Sequence, residues 1–225
     1  MTYVRRAAIV FWKDALVERR AKSALNGLLF FALLLLFVWE FTLGSDRERL
    51  TAALPGLLWL SFVLTGLLAL GRTFLGEQEH DCVEGLLVTP GDKSAIYLGK
   101  MAGNLVLMLV TEALLLALFS VFFNVDLGSR LLPLAVVVVL GTVGFAAVGT
   151  LFAAMTASAR ARELLFPVLL LPAVVPLLLG AVSATEAVLE GQALGGVSHW
   201  IKLLAAADLV YVTVGVLAFE VVLEP

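Results

Sequence analysis

"LLFPVLLLPAVVPLLLGAV", Leu164 to Val182, contains no charged or hydrogen-bonding side chain. A helix over this stretch is apolar on every side, and a strand would have no polar face to turn to water. A helix needs about 20 apolar residues to cross the roughly 30 Å hydrocarbon core, so lipid accounts for the stretch better than a soluble core does. The composition agrees. Hydrophobic residues make up 61% of the 225-residue chain and charged residues 15%, against soluble averages of about half and about a quarter.

Five further runs have the same character, at about Ala24 to Leu43, Leu54 to Leu70, Ala95 to Phe123, Leu131 to Thr156 and Trp200 to Leu223. The fold class is therefore all-α integral membrane with six transmembrane helices in one transmembrane domain, residues 1–225. The third run is longer than a straight crossing needs, so its start, with Tyr97 and Lys100, is expected at the interface or outside it. Trp12, Trp39 and Trp200 fall near span ends, as interfacial anchors do. The first run is too long for a signal-peptide core and no small-residue cleavage pattern follows it, so it is read as a retained span.

Lysine and arginine counted by loop set the orientation. Arg5, Arg6, Lys13, Arg19, Arg20, Lys22, Arg72, Lys93, Lys100, Arg160 and Arg162 fall on one side, and Arg47, Arg49, Arg130 and Lys202 on the other. Both termini are expected in the cytoplasm. Tyr3 to Arg20 places Val4, Ala7, Ala8, Phe11, Ala15 and Leu16 away from most of its cations. This is the pattern of an interfacial amphipathic helix, residues 1–22, with its apolar side toward membrane lipid.

The densest acidic cluster, Glu77, Glu79, Asp81 and Glu84, lies in the loop after the second span, residues 72–94. On a helix Glu77, Asp81 and Glu84 share one face while Val83, Leu86 and Leu87 line another, and Pro90 stops the element. The cytoplasmic leaflet is itself negative, so a protein groove for leucines suits this element better than lipid. A solvated loop helix without a partner is the plainer alternative. The net charge of −3 gives no sign of a nucleic-acid partner, and one cysteine, Cys82, excludes an intramolecular disulfide.

The acidic stretch leading through "VEGLLVTP" (Val83 to Pro90) to "YLGK" (Tyr97 to Lys100), after an N-terminal interfacial helix and two spans, resembles permeases of the type-2 ABC exporter family. Within it, "LPGLLWLSFVLTGLLALGRTF" (Leu54 to Phe74) and "LLFPVLLLPAVVPLLLGA" (Leu164 to Ala181) are similar to the haem exporter B (CcmB) family of cytochrome c maturation. The resemblance implies that the loop is a coupling helix docking on a separate ABC ATPase subunit, through Glu77, Asp81, Glu84, Leu86, Leu87 and Pro90, with Arg160 and Arg162 of the next cytoplasmic turn as a second contact. It also implies haem-handling membrane proteins and a haem chaperone as partners, with a homodimer among the allowed arrangements.

The chain has no Gly-x-x-x-x-Gly-Lys-Ser/Thr, so ATP is expected on the partner. No cofactor is expected on this chain, though haem belongs to the complex the resemblance implies. Three functions stay open. They are a permease that exports haem or releases a haem-loaded chaperone, a generic type-2 permease for a lipid or other hydrophobic substrate, and, more remotely, a membrane-embedded enzyme. No Ser/His/Asp or metal-ligand constellation supports the last.

Glu112 in the third span and Asp208 in the sixth are carboxylates at membrane depth, where an ionised group is costly. Both are candidates for a substrate or gating role, with structural hydrogen bonding as the alternative. Glu220 lies close enough to the interface for solvation. His80 and His199 are the only histidines, and His199 on the outer side is a weak candidate haem ligand. Pro167, Pro172 and Pro176 suggest a kinked fifth span in the bundle interior. Gly141, Gly144 and Gly149 suggest close packing by the fourth.

The orientation has a direct check. Cys82, the only thiol, is expected to react in sealed cells with a permeant thiol reagent and to resist an impermeant one. Labelling by the impermeant reagent would invert the topology.

Overall fold

The computed structural model describes residues 3–21, 23–43, 47–74, 92–124, 128–157, 159, 161–192 and 194–222. Seven α-helices occupy them: α1 (Tyr3–Ala21), α2 (Ser23–Leu43), α3 (Arg47–Leu70), α4 (Ser94–Phe123), α5 (Leu131–Met155), α6 (Arg162–Leu189) and α7 (Leu194–Val222), with a 3-10 turn at Gly128–Arg130. Among the described residues there is no strand. Helices α2 to α7 are each long and apolar enough to cross a membrane.

The spans lie where the hydropathy puts them, but some helices run further. α3 begins at Arg47 rather than Leu54, α6 continues to Leu189 rather than Val182, and α7 begins at Leu194 rather than Trp200. Hydropathy marks only the most apolar part of a helix. Beyond it, α6 still buries Ala184, Thr185, Ala187 and Val188 against the bundle, and that packing prolongs the helix. At the same end, Asn124 closes α4 in the left-handed conformation at φ 48°, its backbone N–H returning to the Ser120 carbonyl. Gly191 turns the chain after α6 at φ 91°, a conformation that costs glycine little.

Helix α5 is the axle. It packs against α3, α4, α6 and α7, and its glycines bring three of them close. A Cβ at Gly141 would strike the Trp59 ring of α3, one at Gly144 would meet Asp208 of α7 and Leu177 of α6, and one at Gly149 would strike Leu70 of α3. Small residues therefore do here what they imply, letting large side chains reach a neighbouring backbone. The buried Trp59 also donates its Nε1–H to Thr185 Oγ1 of α6 at 2.8 Å.

The prolines behave differently from expectation. Pro172 and Pro176 lie on the exposed side of α6 and Pro167 is half-buried, so they do not mark a helix enclosed by the bundle. α6 is continuous through all three. Each removes one ladder donor, and on α7 Tyr211 donates to the Ala173 carbonyl at 2.6 Å in this weakened stretch.

Large apolar side chains cover the outside, among them Phe30 at 70% exposure and Phe41 at 86%. Such a surface is untenable for a soluble monomer and ordinary against lipid. The start of α4 is not part of it. Tyr97 and Lys100, expected at an interface, are 0% and 1% exposed, because α1 packs along this part of α4. Ala7, Phe11 and Ala15 of α1 are half-buried, while Val4, Ala8, Trp12 and Leu16 form its exposed face. The expected single lipid-facing stripe is thus divided, one part turned inward and the other out.

At Gly99 α1 lies close against α4, where a Cβ would be 2.7 Å from both the Ala7 carbonyl oxygen and Val10 Cβ. Gly99→Val is expected to destabilise the chain by about 1 to 3 kcal/mol through overpacking. The measurement is the thermal midpoint in detergent, with α1 becoming the first site of proteolysis. Gly27→Ala, a position with nothing within 4 Å, should leave the midpoint unchanged or raised.

Candidate functional site

Of the residues singled out for ATPase coupling, Glu77, Asp81, Glu84, Leu86, Leu87, Pro90 and Arg160 lie outside the described residues. Arg162 and the root of the loop, Gly71 to Phe74, lie within them. The last carbonyls of a helix have no partner in their own ladder and attract cations. Here the Leu70 carbonyl that ends α3 and two carbonyls of the turn after it, Gly71 and Thr73, are each satisfied by a different side chain. Thr73 Oγ1 donates to the Leu70 carbonyl at 2.7 Å, Arg162 Nη2 from the first turn of α6 donates to Gly71 O at 2.6 Å, and Lys100 Nζ of α4 donates to Thr73 O at 3.0 Å.

Lys100 does more than close this end. Its ammonium lies 3.3 Å from Asp14 Oδ2 of α1 and 4.7 Å from the centroid of the Phe74 ring. Asp14 also pairs with Lys13 at 3.0 Å. One turn on, Asn104 stands 3.2 Å from Thr73 Oγ1 and donates from Nδ2 to Thr150 Oγ1 of α5 at 2.9 Å. Tyr97 donates to the Ala147 carbonyl of α5 at 3.0 Å, and its hydroxyl packs against Gly215 of α7. Tyr3 and Ser94 hydroxyls meet at 3.0 Å where α1 begins. A polar belt therefore joins α1, α3, α4, α5 and α6 at the α1 end of the bundle.

The loop cations alone point only to orientation, and most of this belt escapes a hydropathy reading. A signal was nevertheless present. Lys100 is the one cation of the 30-residue helix α4 and lies near its start, and Asp14 is a lone acid among the cations of α1 until Glu18. A charge in an apolar context needs a partner, and each of these is the other's.

The two intramembrane acids are not brought together. Glu112 is 2% exposed, with Oε2 2.7 Å from Thr142 Oγ1 of α5. The same hydroxyl lies 2.7 Å from the Val138 carbonyl. Thr142 has a single proton for two acceptors, and both contacts are satisfied when Glu112 itself carries a proton and donates it to the hydroxyl. Glu112 also closes a crevice between α2, α3 and α4 with Leu28, Phe62, Thr65 and Met108.

Asp208, 7% exposed, sits against Gly144 on a different side of α5. Thr142 and Gly144 are two residues apart, which turns them about 200° around the helix. Neither carboxylate oxygen of Asp208 has a hydrogen-bond partner among the described residues. Glu220 is exposed. His199 is exposed too, its ring edge-on to Trp200 at 5.4 Å, while His80 is outside the described residues. Among the described residues no group of three His, Cys, Asp or Glu side chains could hold a metal ion.

The sequence is similar to known proteins along almost its entire length. The model of the family described as "CcmB protein" matches residues 5–224. "Heme exporter protein B" of Pseudomonas aeruginosa is 28% identical over 197 residues, covering 86% of each chain. That of Bradyrhizobium diazoefficiens is 29% identical over 198 residues, 86% of this chain and 85% of the relative. That of Rhodobacter capsulatus is 30% identical over 168 residues, 75% and 76%.

The Glu112 geometry makes a prediction. Glutamine can donate one hydrogen bond to Thr142 and accept others at the same size, so Glu112→Gln is expected to keep near-normal membrane levels and activity. Glu112→Lys puts a cation at depth, a cost of about 2.5 to 3.5 kcal/mol on insertion scales, and should lower the amount of folded protein in the membrane. Immunoblotting of membranes with an activity assay separates the two. A benign lysine beside an inactive glutamine would refute the hydrogen-bonding role.

Proposed function

Because the chain belongs to the CcmB family, we propose that it is the membrane permease component of a haem-exporting ABC transporter serving cytochrome c maturation. It is a multi-pass protein of the bacterial inner membrane. The observation that carries the reading is the family match through residues 5–224, which takes in α1 and all six spans. A permease must also take its energy from elsewhere, and in this reading a partner ATPase binds the ATP, in keeping with a sequence that carries no P-loop motif.

In this reading the α1 end faces the cytoplasm, as the distribution of lysine and arginine favours. The loop 75–91 leaves the membrane from a root held at Gly71 and Thr73 by Arg162 and Lys100. Leu86 and Leu87 are apolar anchors in a groove of the ATPase, and Glu77, Asp81 and Glu84 orient the encounter. Arg162 is committed to Gly71, so its part is to hold the loop root, leaving Arg160 as the direct second contact. The exposed face of α1, with Trp12 among its apolar residues and Arg5 and Lys13 beside it, rests on anionic lipid.

Glu112 and Asp208 meet different faces of α5. That favours a mechanical role, in which ATP turnover reshapes the bundle and releases a haem-loaded chaperone from haem-handling partner proteins. Passage of haem through this chain is the second reading. A type-2 permease for lipid is the alternative, and copurification with haem-handling membrane proteins decides against it.

The coupling assignment is tested at the leucines. Each buried aliphatic side chain contributes roughly 1.5 to 3 kcal/mol, whereas rim carboxylates act mainly on association rate and salt dependence. Leu86→Asp with Leu87→Asp is expected to leave the chain in the membrane and strip the ATPase from it in a detergent pull-down. Glu84→Gln should weaken capture chiefly at low salt. An ATPase retained by the double variant would show that this segment does not dock it.

A further inference from the structure

Helix α1 and the turn that follows α3 meet at one buried ammonium. Lys100, 1% exposed, faces three groups from two separate stretches of the chain: Asp14 Oδ2 of α1 at 3.3 Å, and, from the turn after α3, the carbonyl of Thr73 at 3.0 Å and the Phe74 ring at 4.7 Å. The three protons of an ammonium suit such a junction, whereas an apolar side chain could fill the space without linking anything. Packing alone does not call for the charge. α1 already seats Ala7 and Val10 on Gly99, and a buried ion pair is in general no more stabilising than well-packed apolar residues of the same volume. What the pair adds is register, with α1 tied through α4 to the carbonyl from which the chain leaves the bundle.

We propose that Lys100 is a positioning residue for energy coupling. It locks α1 to the end of α3, so that a displacement delivered at the loop root moves α1 and α4 with it instead of pivoting at Gly71 to Phe74. This deepens the ATPase-coupled function proposed above and rests on it. Arg162 of α6 holds Gly71, and Asp14–Lys100–Thr73 is the branch leading to α1.

The test uses a distance already present. An ideal Cβ at Gly103 lies 3.8 Å from Asp14 Cβ, about the mean Cβ separation of a disulfide. Asp14→Cys with Gly103→Cys removes the carboxylate that Lys100 holds and, on oxidation, replaces that tie by a covalent one between α1 and α4. The full chain is reconstituted in nanodiscs with its ATPase, and ATPase retention and ATP turnover are measured on one sample, reduced and then oxidised. Gly103→Cys alone, carried through the same cycle, accounts for Cys82.

In the reduced sample the ATPase should stay bound while stimulated turnover falls about five-fold or more, and oxidation should return turnover to within about two-fold of the unaltered chain. Lys100→Arg should retain stimulation and Lys100→Met should lose it. The proposal is overturned if the reduced sample turns over as the unaltered chain does, if oxidation restores nothing, or if reduction releases the ATPase, since Lys100 would then support docking. An unaltered chain that binds no ATPase would instead refute the coupled function itself.

Discussion

Hydrocarbon supplies no hydrogen bonds, and the placement of nearly every polar side chain in this bundle follows from that. Threonines at depth turn back on their own helices, Thr65 to Ser61 O at 2.7 Å and Thr111 to Leu107 O at 2.8 Å. Residues that cannot do so reach across: Trp59 to Thr185, Trp39 to Ser61 at 3.2 Å, and Asn104 to Thr150. Each cross-helix bond fixes a rotation as well as a distance. A span with a uniform apolar surface could otherwise turn about its axis at little cost, so these few bonds specify which face meets which neighbour.

Asp208 departs from this rule. Its carboxylate is buried against Gly144 and Leu177 with no side-chain donor among the described residues, while Glu112 has its threonine. The contrast explains why the two acids, alike in sequence context, are not equivalent. Glu112 belongs to a closed hydrogen-bonded chain that ends on the Val138 carbonyl. Asp208 lies where α5 and α6 meet α7, and Gly144 is what leaves room for it.

The membrane class, the six spans and the packing role of the α5 glycines were legible because they rest on composition and side-chain size, which are one-dimensional properties. Helix ends were less so, since α6 beyond Val182 is held by burial of Ala184, Thr185 and Val188, a tertiary effect. The polar belt was hardest to see. Lys100 reads as a positive-inside charge until α1 is known to lie over it, and Arg162 reads the same way until Gly71 is known to face it. Trp59 reads as one more apolar residue, yet its indole needs both Gly141 for space and Thr185 for a hydrogen bond, from two other helices. Spacing within one segment cannot reveal partners 82 and 126 positions away.

The belt also bears on how far a push at the loop root would travel. Thr73 faces Asn104, Asn104 donates to Thr150, and Tyr97, two turns back on α4, donates to Ala147. Thr150 and Ala147 are three residues apart on α5, so both bonds grip nearly the same face of the axle. Tyr97 is wedged between that face and Gly215 of α7, and its ring lies 5.4 Å from that of Phe219. A movement of α4 at this level is therefore passed to α5 and α7 together. Glu112 with Thr142 and Trp59 with Thr185 join α4 to α5 and α3 to α6 by separate bonds.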